Sequence, residues 1–133
     1  PHPSYKSRIP AFDAIADSIQ AVRGCPGGCA FCGLVAHQGR TVMSRSEESI
    51  VREAKIISSR PDFKGTISDV GGAAGNLFGS SYDLENCKKC RRVSCLFPTP
   101  CKSYKCDGQA VVHMLRTLRK IPEIRHDRRQ SYC

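Results

Sequence analysis

The stretch Arg23-Gly24-Cys25-Pro26-Gly27-Gly28-Cys29-Ala30-Phe31-Cys32 sets three cysteines in a C-x3-C-x2-C pattern inside a glycine-rich loop. Three thiolates from one tight loop can hold three irons of a cubic iron–sulfur cluster. The fourth iron then lacks a protein ligand, and an open coordination position is what separates a reactive metal centre from a structural one. Gly27 and Gly28 give the loop the dihedral freedom to wrap such a group. A structural zinc site would need a fourth ligand, which His37 could supply. An electron-transfer cluster would use a fourth cysteine. The open cluster is the preferred reading.

Working outward, Ser18–Arg23 is a β-compatible stretch that ends at Gly24. Downstream, Ser44 stands three residues before Glu47, a capping-box spacing. Ile50, Val51, Ala54 and Ile57 recur at helical period, so a helix is expected over residues 45–59. Gly65–Val70 reads as a buried strand, closed by Gly71-Gly72. Asp107 can cap a second helix, Gly108–Lys120, whose expected apolar face is Val111, Val112, Leu115 and Leu118. A third strand is expected near Ile121–Ile124. Alternating strands and helices argue for an α/β fold with parallel strands. Residues 1–16, with three prolines, read as a linker. Residues 17–126 read as the core, with a Cys-rich insert at 87–106, and residues 127–133 as a polar tail.

The 133 residues are 40% apolar and 25% charged, which fits one small globular domain and excludes wholesale disorder. The longest apolar run, Cys29–Ala36, is far short of the roughly 18 residues a membrane span needs. The net charge of +9 arises after residue 86, because residues 1–86 balance. A basic face can attract nucleic acid, but few aromatics are interleaved for base stacking. Solvated or thiolate-balancing Lys and Arg are the preferred reading. Nine cysteines, odd in number and clustered, read as reduced metal ligands of a cytoplasmic protein rather than as disulfides.

Five of these cysteines form a second group, Cys87, Cys90, Cys95, Cys101 and Cys106. C-x2-C is a common first half of a zinc or iron–sulfur site. Cys87, Cys90, Cys95 and Cys101 are the expected ligand set, since Cys106 adjoins the cap of the next helix. Lys88, Lys89, Arg91 and Arg92 would offset thiolate charge. Free thiols are the competing reading.

The cysteine loop, with an aromatic just before its third cysteine, resembles the signature of the radical S-adenosylmethionine superfamily. The chain is more closely similar to the YgiQ-like family within it. That likeness is carried by His2-Pro3-Ser4-Tyr5, Ile9–Phe12, the cysteine loop, Gly39-Arg40, Ser44–Ile50, Ile67–Gly72, Cys90–Cys95 and Cys101, and it runs to about residue 121. The resemblance implies a 4Fe-4S cluster on Cys25, Cys29 and Cys32, with S-adenosylmethionine chelated at the open iron. It implies reductive cleavage of that cofactor to a 5′-deoxyadenosyl radical, an electron donor such as a flavodoxin or ferredoxin, and a substrate it does not identify. Phe31 would then lie beside the adenine, and Gly71 and Gly72 would let backbone approach the methionine amino group. Ala73 stands where many members of the superfamily have an acidic residue.

The implied fold is the N-terminal part of a (β/α) partial barrel, truncated and carrying the Cys-rich insert. A full barrel takes about 200 residues or more. The expectation is therefore a fragment that holds the cluster and cofactor half-site and cannot turn over a substrate by itself. The alternative is a small zinc- or iron–sulfur-binding module with a basic nucleic-acid-binding face.

Overall fold

The computed structural model describes residues 2–127 of the chain. In chain order the elements are α1 (Pro10–Ile15), β1 (Ser18–Gln20), β2 (Val22–Arg23), α2 (Leu34–Gln38), β3 (Met43–Ser44), α3 (Glu47–Ser58), β4 (Thr66–Ile67), β5 (Asp69–Gly71), β6 (Ser81–Tyr82), α4 (Leu84–Lys88), β7 (Tyr104–Lys105), α5 (Gly108–Leu118) and β8 (His126–Asp127). The architecture is mixed α/β with small sheets.

β4 and β5 are successive parts of one extended stretch, separated by Ser68. β1 pairs with β5 in parallel, Ser18 opposite Asp69 and Gln20 opposite Gly71. β8 pairs with β4, also in parallel. Two antiparallel pairs complete the arrangement: β2 with β3, and β6 with β7. The first folds the chain back beyond the cysteine loop; the second joins the two ends of the segment that holds Cys87, Cys90, Cys95 and Cys101.

The long helices form where local chemistry favours them. α3 buries Ile50, Ala54 and Ile57 and half-buries Val51, as its apolar period requires. Its cap differs from expectation. Ser46, not Ser44, accepts the Ser49 N–H at 3.3 Å. Ser44 lies in β3, and its hydroxyl accepts from the Gly79 N–H at 2.9 Å. α5 is capped by Asp107, which accepts from the Gln109 N–H at 2.8 Å. Its buried face is Met114 and Leu118, flanked by Val111 and Leu115, whereas Val112 is exposed. Val112 lies one residue, about 100°, around the helix from Val111 and so turns to solvent.

α3 and α5 pack on β1 and β4. Ile19, Ile50, Ala54, Ile67, Met114, Leu118, Ile121 and Ile124 form one core cluster. Ile121 and Ile124 thus serve as core residues after α5, and the strand begins later, at His126. Asp127 belongs to that strand, and the rest of the expected polar tail, 128–133, lies outside the described residues. The expected N-terminal linker contains a helix. Pro10 sits at the start of α1, where its missing N–H costs nothing, and Arg8 pairs with Asp13. None of α1 is buried. Among the described residues no helix is long and apolar enough to cross a membrane.

Candidate metal centre

The first cysteine loop leaves β2 at Gly24 and returns to it before β3. Gly24 takes φ +90°, and a Cβ there would lie 2.2 Å from the Thr41 carbonyl oxygen. The Cys25 N–H donates to the Gly39 carbonyl at 3.1 Å, and the Gln38 side chain accepts from the Gly24 N–H at 3.2 Å. The excursion from Cys25 to Gln38, including α2, is therefore pinned at its neck.

Within it, the Gly27 N–H points at the Cys25 sulfur, 3.4 Å away. A Cβ on Gly27 would stand 3.4 Å from that sulfur and 3.6 Å from the sulfur of Cys29. Two sulfurs therefore flank one position that glycine leaves open. The Cys32 N–H donates to the Cys29 carbonyl at 3.1 Å, turning the third cysteine back toward the second. Cys25 is half-buried, and Cys29 and Cys32 are exposed. An exposed cradle of soft thiol donors with an inward amide fits an iron–sulfur group, whose sulfurs accept such hydrogen bonds. Among the described residues, no three Cys, His, Asp or Glu side chains already converge on one point as finished ligands. His37 lies in α2 and is exposed. Phe31 is 93% exposed.

Gly71 and Gly72 stand where β5 ends, beside a cleft of about 290 Å³ lined by Ser18, Gln20, Asp69 and Ala73. The two glycines differ. A Cβ on Gly72 would meet Val22 Cγ1 at 2.5 Å and the Val22 carbonyl oxygen at 2.7 Å, so close packing on β2 explains its lack of a side chain. A Cβ on Gly71 would meet only Asp69 Oδ1, at 3.6 Å. The contact of Gly72 with Val22 also sets the cleft beside the chain that enters the cysteine loop.

Asp69 is not among the site residues expected from the sequence. Its Oδ1 is sealed from solvent and has no hydrogen-bond partner. Burial pushes its carboxyl above the ordinary carboxylate value, against a lowering hydrogen bond from the Val70 backbone. It lies two residues before Gly71, hence on the same side of the strand. That spacing was the available signal, although an acid near a strand end ordinarily reads as solvent-facing.

The second cysteine group is folded against the first. The Cys95 N–H donates to the Pro26 carbonyl at 2.8 Å. Gly28 takes φ +61°, and a Cβ there would lie 2.2 Å from the Val93 carbonyl oxygen. Burial raises the Cys87 thiol pKa, and the thiols of Cys95, Cys101 and Cys90 push the same way, in that order. Cys106 stands apart. It is exposed, 3.6 Å from the Asn76 carbonyl, and it neighbours Tyr104, whose hydroxyl burial pushes up to about 12.

The chain is 45% identical over 127 residues to a UPF0313 protein of Porphyromonas gingivalis, 43% identical over 132 residues to one of Methanocella arvoryzae, and 44% identical over 127 residues to one of Bacteroides thetaiotaomicron. These alignments cover 94%, 95% and 94% of this chain and 20%, 21% and 20% of the relatives. The chain thus spans about a fifth of the length of the curated relatives it matches. No family model matches the chain, and no solved structure matches it.

Proposed function

The chain belongs to the UPF0313, or YgiQ-like, family, and from that premise we propose that it is the cluster- and cofactor-binding part of a radical S-adenosylmethionine enzyme. The observation that carries the reading is the pair of sulfurs, Cys25 and Cys29, facing the position a Gly27 side chain would fill. Cys25, Cys29 and Cys32 would hold a 4Fe-4S cluster, with S-adenosylmethionine bound beside it. Together these groups supply, when bound, reductive cleavage of a sulfonium carbon–sulfur bond and so a means of abstracting hydrogen from a substrate.

The protein's own part is to bind and orient. The Gly27 amide is aimed at the Cys25 sulfur and would donate to it with a cluster bound. Gly71 offers open backbone at the cleft edge. The unpartnered oxygen of Asp69 suits a cationic amino group, whose arrival would compensate for burial of the carboxylate. Phe31, exposed in the loop, would cover a bound nucleoside. The parallel pairs β1–β5 and β4–β8 with outer helices are compatible with the start of a (β/α) barrel, and a flavodoxin or ferredoxin would supply the electron.

The test is anaerobic reconstitution followed by Mössbauer and electron paramagnetic resonance spectroscopy. The expected result is a 4Fe-4S signal that S-adenosylmethionine perturbs and that Cys25→Ala/Cys29→Ala/Cys32→Ala abolishes. A signal that survives in the triple variant would overturn the assignment. In a full-length relative, a strong reductant should yield 5′-deoxyadenosine and methionine in equal amounts.

A further inference from the structure

The insert from Cys87 to Cys106 poses a physical problem. Its only buried residues are Ser94 and Cys95, while Val93, Leu96 and Phe97 are 73%, 44% and 76% exposed. A segment with so little apolar core needs another tether. Backbone and polar bonds give it shape: the Cys90 N–H donates to the Cys87 carbonyl at 3.1 Å, and the Cys101 N–H to the Cys95 carbonyl at 2.7 Å. Arg92 reaches across the loop to the carbonyls of Ser94, Phe97 and Thr99. Ser94 Oγ accepts from the Leu96 and Phe97 amides at 3.0 Å each. The cysteines at 87, 90, 95 and 101 are free thiols held in this frame, one pair joined by a two-residue turn and the other by a direct backbone bond.

We propose that Cys87, Cys90, Cys95 and Cys101 form a closed four-thiolate zinc site, and that the metal-stapled insert braces the Cys25–Cys32 loop. Four sulfurs and no open position are the donor set of a structural zinc. A four-thiolate zinc carries two net negative charges, and residues 87–106 hold six basic and no acidic side chains to offset them. Cys106, directed to Asn76 and Tyr104, is the cysteine left out. The four side chains do not already converge, so metal binding closes the site as it orders them. The brace is the pair of contacts already described, Cys95 to Pro26 and Val93 to Gly28. Zinc binding stands independently of the radical chemistry; that the braced loop carries a cluster rests on the proposed function.

Elemental analysis of the anaerobically purified chain tests the first part. One zinc per chain is expected, retained in Cys25→Ala/Cys29→Ala/Cys32→Ala and in Cys106→Ser, and lost in Cys87→Ser/Cys90→Ser. Cobalt substitution in the triple Ala variant should give the absorption of a tetrahedral thiolate site. Absence of zinc from the triple Ala variant, iron and sulfide in its place, or zinc retained in Cys87→Ser/Cys90→Ser would overturn the site. Loss of iron from the wild type with zinc intact would count against the cluster reading alone. For the brace, zinc is stripped from the triple Ala variant with a chelator, so that no serine variant need fold. Exchange of the Cys95 amide, which donates to the Pro26 carbonyl, should then rise about tenfold or more, which reports loss of that bonded contact. Unchanged exchange at the Cys95 amide after zinc removal would refute the bracing role.

Discussion

Gly28 approaches Val93 so closely that a Cβ at residue 28 would lie 2.2 Å from the Val93 carbonyl oxygen. The cysteine loop and the insert are thus in backbone contact at a position only glycine can occupy. Gly28→Ala would incur about 1–2 kcal/mol for the left-handed backbone and more for displacing the insert. We expect the melting temperature of the reconstituted chain to fall by roughly 5–10 °C, with faster loss of bound metal. Calorimetry with parallel metal analysis checks this; an unchanged melting temperature would mean that the contact does not persist in solution.

Gly71 and Gly72 should separate on substitution. Gly72→Ala forces a Cβ into Val22 and should destabilise the fold by about 1–3 kcal/mol, the range for overpacking. Gly71→Ala meets only Asp69 Oδ1 at 3.6 Å and should leave stability within about 0.5 kcal/mol. If the cleft receives S-adenosylmethionine, Gly71→Ala should weaken its binding about tenfold, read by equilibrium titration of the reconstituted protein. Equal stability of the two variants would contradict the packing difference.

Asp69 gives a pH dependence of known sign. Burial raises its folded-state pKa above the ordinary carboxylate value of 3.8. Its contribution to stability is therefore fully present below about pH 3.8 and is lost as pH rises through the folded value. Asp69→Asn lacks this loss, so its stability relative to the parent should increase from about pH 3.5 to about pH 7. Denaturant unfolding in the Cys25→Ala/Cys29→Ala/Cys32→Ala background avoids interference from bound iron. The same substitution should weaken binding of S-adenosylmethionine if the carboxylate meets its amino group. A stability difference that shrinks with rising pH would show that Asp69 is stabilised as the anion.

The cap of α3 is testable by a pair of serines. Ser46→Ala removes the acceptor of the Ser49 N–H and should destabilise the chain by about 1 kcal/mol. Ser44→Ala removes the bond from the Gly79 amide instead. It should leave helix content unchanged while increasing amide exchange at Gly79. Loss of helical circular dichroism in Ser44→Ala but not Ser46→Ala would restore the capping box expected from sequence.

The sequence alone determined what depends on neighbours within a few residues. The apolar period of α3 and the Asp107 cap of α5 were legible because periodicity and capping act over a turn or two, and the spacing of Cys25, Cys29 and Cys32 is visible as a pattern within one short loop. Where two local signals competed, packing chose between them. Ser46 displaced Ser44 as cap because Ser44 is drawn into β3 and toward Gly79. Met114 replaced Val112 in the core because the rotation of α5 is set by the surface beneath it. Only the tertiary structure brought Cys95 to Pro26, Val93 to Gly28 and Gly72 to Val22, and left one oxygen of Asp69 buried without a partner. Such contacts join segments far apart in the chain. They depend on which backbones can approach and which polar groups lose water on burial, and the order of residues along the chain carries no period that encodes either.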